Sequence, residues 1–325
     1  MTPTPNRGPA HPTLGVIMVA SSGALFAVNG TASKLILEAG VDAQQLTLLR
    51  ASGAWLGLMV LAAAVRPGLR RIRVTRRELP LLLVYGFTGY FLVQILFFVS
   101  IRRLPVGIAL LFEFTAPLLV ALWARFGQHQ KVKSRLWYGL AASLVGLAAV
   151  AEVWHGSLRL DGIGVAAGLA AAFLLCGYYV LGARVVAQRD TISLTWWAFG
   201  ISATAGLVVA AVRSGVTGGQ AFPFHVFGQT SHGVPVWALA VYMVVCGSIA
   251  SYMLVAGSLR HLPPTSVGII GMVEPVIAGA VAWVVLGERL SVAQLIGGGL
   301  VLIGVGVAET ARTAGPGEPA EIPPG

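Results

Sequence analysis

Two glutamates stand inside long apolar stretches and are the residues of this chain best placed to do chemistry. Glu113 follows the apolar run 104–112, and Glu274 follows the run 266–273. A charge at the centre of a helix surrounded by lipid costs about 2.5–3.5 kcal/mol, so such residues are usually kept for function. A buried carboxyl group can exchange a proton or balance the charge of an amine. The alternative is a neutral or hydrogen-bonded acid that only helps helices to pack.

Other polar residues lie in the same kind of surroundings. Arg50 can extend to the nearer surface or pair with a carboxylate, including that of a ligand. A further set of polar side chains is a candidate lining for a cavity, with bonding between helices as the alternative: Asn29, Tyr90, Gln94, Ser251 and Tyr252.

A proline follows each glutamate closely. Pro117 has no N–H for the carbonyl of Glu113, and Pro275 has none for that of Gly271, so both positions predict helix breaks with an unpaired backbone acceptor. Such an acceptor can bind a ligand, or it can be satisfied by a Ser or Thr of the next helix.

These residues must be positioned by helices that cross a membrane. Of the 325 residues, 56% are hydrophobic and only 10% are charged, which is too little polar surface for soluble domains of this size. A spanning helix needs roughly 20 apolar residues, and backbone groups in lipid must be bonded within the segment. The apolar runs predict ten helices, near 14–37, 45–65, 79–100, 105–126, 136–154, 161–182, 192–212, 234–258, 264–286 and 292–309.

The chain repeats itself after 158 residues. Leu104, Pro105 and Pro117 return as Leu262, Pro263 and Pro275, and the following pairs of residues have the same spacing: Gly89 and Gly247, Ser100 and Ser258, Arg102 and Arg260, Gly139 and Gly297, Gly146 and Gly304. Five predicted spans separate the copies, and an odd number places them in opposite orientations. We therefore predict an all-α integral membrane fold of ten helices in two inverted five-helix repeats.

The basic residues of the loops predict the orientation. Fifteen lysines and arginines fall on the side of the two termini and five on the other, so both termini are predicted to be cytoplasmic and the location to be the plasma (inner) membrane. The predicted divisions are a cytoplasmic tail (1–13), the first repeat (14–154), the second repeat (161–309) and a disordered cytoplasmic tail (310–325).

The second repeat resembles a known family. Gly271-Met-Val-Glu274-Pro275, the later Leu286-Gly287-Glu288-Arg289, and the glycines at 297 and 304 are similar to the signature of the EamA family in the drug/metabolite transporter superfamily. Leu104 to Leu118 resembles the corresponding stretch of the threonine/homoserine exporters. The resemblance implies ten helices in two inverted units and ion-coupled export of a small metabolite such as an amino acid, with protons as the candidate ion.

The remaining function classes are less consistent with the sequence. Drug or cation efflux by the same fold stays open. An intramembrane enzyme is disfavoured because all six histidines lie in predicted tails or loops, and a channel because two non-equivalent acids do not form a ring. No basic stripe indicates nucleic acid, and no spacing indicates a metal or a cofactor. The expected partners are a small metabolite and the lipid bilayer, and a homodimer is left open.

Overall fold

The structure is a computed structural model that describes residues 11–65, 72–104, 106–130, 132–154, 161–186, 189–217, 228–230, 233–278, 280 and 291–311. Most of the two predicted tails, most of loop 213–233, the far part of the ninth span, and Glu288 and Arg289 therefore lie outside the described residues.

Ten helices follow one another in the described ranges, as predicted. They are α1 Pro12–Glu38, α2 Ala43–Ala64, α3 Leu79–Arg103, α4 in two pieces Val106–Glu113 and Ala116–Leu122, α5 Ser134–Val150, α6 Gly162–Val186, α7 Thr191–Thr217, α8 Val236–Ser258, α9 Pro264–Ala278 and α10 Val292–Thr310. Eight are long and apolar enough to cross a membrane, while the described parts of α5 and α9 are shorter. The outward faces carry large apolar residues, for example Val60, Tyr138, Phe173 and Ile303, which suits contact with lipid rather than water.

Polar contacts at the helix ends show that successive helices run in opposite directions. We call the end of the bundle where α1 begins and α10 ends the terminal side, and the opposite end the far side. Each contact joins helix ends expected on the same side: His11 with His261 and Arg189 with Glu78 on the terminal side, Arg103 with Asp161, Arg213 with Asp42 and Glu152 with Ser291 on the far side.

Contacts between equivalent residues locate the axis that relates the two repeats. Residues related by a twofold axis can touch each other only where the axis passes between them. Gln94 Nε2 donates to the hydroxyl of Tyr252, 158 residues away. Ser143 Oγ donates to the carbonyl of Val301, again 158 residues away, at 3.5 Å. The axis therefore passes between α3 and α8 and between α5 and α10.

Glycines bring α5 and α10 into backbone contact around this axis. A Cβ on Gly139 would lie 2.6 Å from the carbonyl oxygen of Gly304, and one on Gly146 would lie 2.7 Å from that of Gly297. These two contacts are images of each other under the repeat. Small residues permit such approach where no hydrophobic effect drives helices together.

The irregular turns are repeated as well. A π-helical turn at Phe87–Leu92 of α3 recurs at Val245–Ala250 of α8. The turn that interrupts α4 at 114–115 recurs in α9 at 272–273. π turns are rare and concentrate at functional sites, and all four irregularities lie near the middle of their helices.

Candidate substrate and ion site

A cavity occupies the centre of the bundle and extends toward the far side. Including its opening it encloses about 1290 Å³, more than an amino acid needs. Its wall includes Ser33 of α1, Ile101 of α3 and Ala278 of α9 near the far side, and residues of α2, α4, α6 and α8 deeper in. Both glutamates and Arg50 line it.

The two glutamates sit at the interruptions of their helices. Glu113 is the last residue of the first piece of α4, and Glu274 directly follows the turn in α9. Both are partly exposed to the cavity, and within the described residues neither carboxylate has a hydrogen bond or an ion pair. They interact electrostatically with each other and with Arg50. The described part of the chain holds no cluster of three potential metal ligands.

Arg50 does not extend to the surface, so that interpretation of the sequence was wrong. Its side chain is only 3% exposed. Nε donates to Ser248 Oγ at 2.7 Å, one terminal nitrogen donates to the carbonyl of Gly247 at 2.9 Å, and the other donates to Gln94 Oε1. The guanidinium carbon also lies 5.4 Å from the centre of the Tyr252 ring. The hydrogen bonds to α3 and α8 satisfy the guanidinium inside the bundle, so the side chain does not need to extend to the surface to find partners.

The π turn of α8 supplies two of these acceptors. A wider turn shifts the carbonyl groups out of the regular i to i−4 pattern, which makes them available to other partners. Gly247 and Ser248 lie in this turn, and the sequence analysis did not identify either as a partner of Arg50. The repeated glycine pair Gly89 and Gly247 was the available signal.

The candidate lining residues divide into two groups. Asn29, Gln94 and Tyr252 line the cavity. Tyr90 and Ser251 are not among its lining residues and are buried in the wall, 1% and 0% exposed. Ser251 Oγ donates to the carbonyl of Cys246 in the π turn, which is a structural role.

Aromatic side chains pack together in the wall of the cavity, and two of them, Tyr178 and Tyr252, line it. Tyr252 packs against Tyr90 with ring centres 4.6 Å apart and against Phe199 at 5.2 Å, and Tyr85 stacks on Tyr178 at 5.4 Å. The hydroxyl groups of Tyr85, Tyr90 and Tyr178 are buried, and none has a hydrogen-bond partner within the described part of the chain. We call these five residues the aromatic plug. Its members come from four helices, so sequence spacing alone gave no sign of it.

The two prolines have different surroundings although their positions are equivalent. Pro275 lines the cavity beside Glu274, whereas Pro117 is buried against α9, where a Cβ on Gly268 would lie 3.2 Å from its Cγ. Thr115 Oγ1 donates to the carbonyl of Phe112 at 2.6 Å at the interruption of α4, which satisfies one backbone acceptor of this turn locally.

Comparison with known proteins gives a consistent result. The EamA-like transporter family matches residues 13–151 and again 162–309. The threonine/homoserine exporter RhtA of Escherichia coli strain K12 is 27% identical over 280 residues, which is 84% of each chain. An uncharacterized inner membrane transporter of Salmonella typhimurium strain LT2, YicL, is 22% identical over 297 residues, covering 90% of this chain and 93% of the relative. A solved crystal structure aligns with 92% of this chain and 97% of its own, with a TM-score of 0.72 and 17% identity, and thus shares the fold.

Proposed function

We propose amino-acid export as the function of this chain, which belongs to the EamA-like transporter family and is therefore a multi-pass membrane transporter with a small-molecule substrate. Its named relatives are transporters, which implies that it is not an enzyme. Three of its features favour amino acids among small molecules: a guanidinium group, two acids and a cavity of suitable size. An amino acid carries both charges that such a site can bind.

The observation that carries this proposal is a pair of carboxylates that have no hydrogen-bond or ion-pair partner among the described residues and that line one cavity together with Arg50. A carboxylate in a largely apolar cavity favours a cation or a proton beside it. The two acids interact with each other electrostatically, so a bound proton relieves their repulsion. We propose that protons bind at Glu113 and Glu274 and that their exchange is coupled to substrate movement.

The orientation follows from the loop charges. With the terminal side in the cytoplasm of a plasma-membrane protein, the part of the cavity wall at Ser33 and Ile101 lies toward the outside, and we propose that the aromatic plug closes the cavity toward the cytoplasm. This corresponds to the stage of an export cycle at which substrate is released. The opposite stage requires the plug to separate and the far side to close, by movement of one repeat against the other.

The test is transport by purified protein in liposomes. A panel of amino acids that includes threonine and homoserine is measured with and without an imposed pH gradient. We expect uptake driven by the gradient, with substrate-dependent dissipation of the gradient. Failure to transport any member of the panel would overturn the proposal, and transport indifferent to the gradient would overturn its coupling to protons.

Variants then locate the coupling. Glu113→Gln and Glu274→Gln keep the shape of each side chain and remove its charge, so both should lose gradient-driven uptake. Asp161→Asn is the control because this acid lies in a loop outside the cavity. Equal losses in the control would show a general effect of removing acids.

Efflux of cationic drugs by the same cavity is the second candidate. Acidic side chains outnumber the single arginine in the cavity lining, and aromatic side chains such as Phe26 and Tyr179 line it, which favours organic cations. The same liposomes tested with cationic aromatic dyes distinguish the two. Dye transport without amino-acid transport would favour this second function.

A further inference from the structure

We infer that Asn29 and Arg50 together bind the headgroup of an α-amino acid, with the substrate carboxylate on the guanidinium and the substrate ammonium on the Asn29 carboxamide oxygen. This inference rests on the proposed function and identifies which residues hold which end of the substrate. It leaves Glu113 and Glu274 free for the coupling ion.

The two side chains meet at one residue of α8. Arg50 donates to the carbonyl of Gly247 at 2.9 Å. Asn29 packs against the same glycine, since a Cβ on Gly247 would overlap Asn29 Oδ1. Both side chains line the central cavity. A cation from α2 and a hydrogen-bond acceptor from α1 thus contact the same residue.

Each side chain retains capacity for a ligand. A guanidinium group has five N–H donors, and the described contacts of Arg50 use three of them. Asn29 is 6% exposed, and its Oδ1 is enclosed without a hydrogen-bond donor among the described residues. Buried polar atoms are rarely left without a partner. We therefore infer that this oxygen accepts a hydrogen bond from the ligand. An ammonium group supplies such a donor.

Asn29 and Arg50 are better placed than the two acids to bind the two ends of one headgroup. The ammonium and the carboxylate of an α-amino acid are attached to the same carbon, so they need neighbouring binding groups. Asn29 and Arg50 share the contact with Gly247. Glu274 instead lies beside Gly23 of α1, about 9 Å along the helix from Asn29 at 1.5 Å per residue.

The neighbouring residues fix Arg50 for this role. Ser248, Gln94 and the backbone of Gly247 hold the guanidinium in one plane, and Gln94 is held in turn by the hydroxyl of Tyr252. Little side-chain freedom is left to lose when a carboxylate binds, which favours affinity.

The test measures recognition of each half of the headgroup separately. Liposomes that take up labelled threonine are challenged with 3-hydroxybutanoate, which lacks the amine, and with 1-amino-2-propanol, which lacks the carboxylate. In the wild type both should compete at least tenfold more weakly than unlabelled threonine. In Asn29→Ala the preference for threonine over 3-hydroxybutanoate should fall toward one, while the preference over 1-amino-2-propanol remains.

Two further variants make the result specific. Asn29→Asp keeps an acceptor and should retain the preference for the amine, which separates a ligand contact from a general disturbance of α1. Ser33→Ala is the matched control: Ser33 lies one turn further along α1, also lines the cavity and contacts Met243 Sδ at 3.8 Å. It should leave both preferences unchanged, and Glu113→Gln should change the response to the pH gradient but not the preferences.

The outcomes separate the two proposals. Wild-type transport in which Asn29→Ala leaves the preference for the amine intact overturns this inference alone, as does a water molecule that satisfies the oxygen with no effect on substrate choice. Wild-type liposomes that carry no amino acid overturn both proposals.

Discussion

The π turns of α3 and α8 occupy equivalent places in the two repeats but make different contacts. In α3 the turn holds Gly89 against the ring of Tyr178, where a Cβ would lie 2.8 Å from Cδ2, and places Tyr90 in the aromatic plug. In α8 the turn holds Gly247 against Asn29 and presents acceptors to Arg50. The duplication has kept the backbone distortion and the glycine, while the side chains have diverged, so that one turn contributes to the aromatic plug and the other offers acceptors to Arg50.

This difference suggests how a pseudo-symmetric transporter becomes asymmetric in function. Its backbone supports equivalent movements of both halves. The side chains decide what each half contributes: one acid from each of α4 and α9, but an arginine from α2 alone. Variants made in equivalent pairs test this interpretation.

The largest effect is expected from the two acids. Glu113→Gln and Glu274→Gln should each reduce gradient-driven amino-acid accumulation to roughly the level of empty liposomes, because a neutral amide does not exchange protons in this pH range. Exchange of substrate without a gradient should continue. Loss in one variant only would assign the coupling to one repeat and leave the other acid to packing.

The paired glycines come next. Gly247→Ala forces a methyl group against Asn29 and should raise the KM for threonine about tenfold, a change of about 1.4 kcal/mol. Gly89→Ala forces one against the Tyr178 ring instead. Each should lower the free energy of unfolding by about 1–3 kcal/mol through overpacking. The increase in KM should be clearly larger for Gly247→Ala, although Gly89 also lines the cavity. Equal changes in KM would contradict the division between closure and binding.

The contact on the axis should give a smaller effect. Tyr252→Phe removes the hydroxyl that accepts from Gln94 and so loosens the support of Arg50. A lost hydrogen bond is worth about 0.5–1.5 kcal/mol, which predicts a several-fold increase in the KM for threonine. Tyr138→Phe, on a ring that is 73% exposed at the outer surface, is the control and should leave KM unchanged.

The smallest effect concerns the polar contacts at the ends of α3 and α8. The repeat relates Arg103 to His261. Arg103 binds Asp161 on the far side, where a hydrogen bond from the Gly164 amide, aided by Arg103, holds the Asp161 pKa below its usual 3.8. On the terminal side, partial burial, with His11 and Arg260 nearby, lowers the pKa of His261 below 6.5.

Both shifts favour the deprotonated form in the folded protein, so both stabilise it at high pH and are lost as pH falls. For His261 the loss begins below about pH 6.5, and for Asp161 only below about pH 3.8. The Tm of purified protein should therefore fall by roughly 1–2 °C between pH 7 and 5 through His261. His261→Gln should remove this part of the slope, and Asp161→Asn should not; an identical slope in His261→Gln would exclude the histidine.

Much of the fold followed from the sequence because lipid imposes strong rules. Each spanning helix must be long, apolar and internally bonded, so the ten runs and the 158-residue repeat were readable without coordinates. The cost of burying charge also singled out Glu113, Glu274 and Arg50, all of which line the cavity. The location of both glutamates at helix interruptions agrees with the position of the prolines.

The surroundings of these residues were less accessible to sequence analysis. The length of the arginine side chain is compatible with a surface position, and the sequence gives no indication that the π turn of α8 offers it two acceptors. Tyr90 is a polar residue of a spanning helix, as expected of a cavity lining, but it is buried in the aromatic plug. Both outcomes depend on which faces of distant helices meet.

The sequence by itself determined the class of the protein, the number of its helices, their inverted duplication and the charged residues that must be accounted for within the membrane. Hydrophobic length and the cost of unpaired charge act along a single segment, so both can be predicted from the sequence of that segment. Only the tertiary structure decided that Asn29 and Arg50 meet at Gly247, that the axis passes between Gln94 and Tyr252, and that aromatic rings from four helices pack together beside the cavity. Those contacts join helices far apart in the chain, and their geometry is set by packing that no single segment encodes.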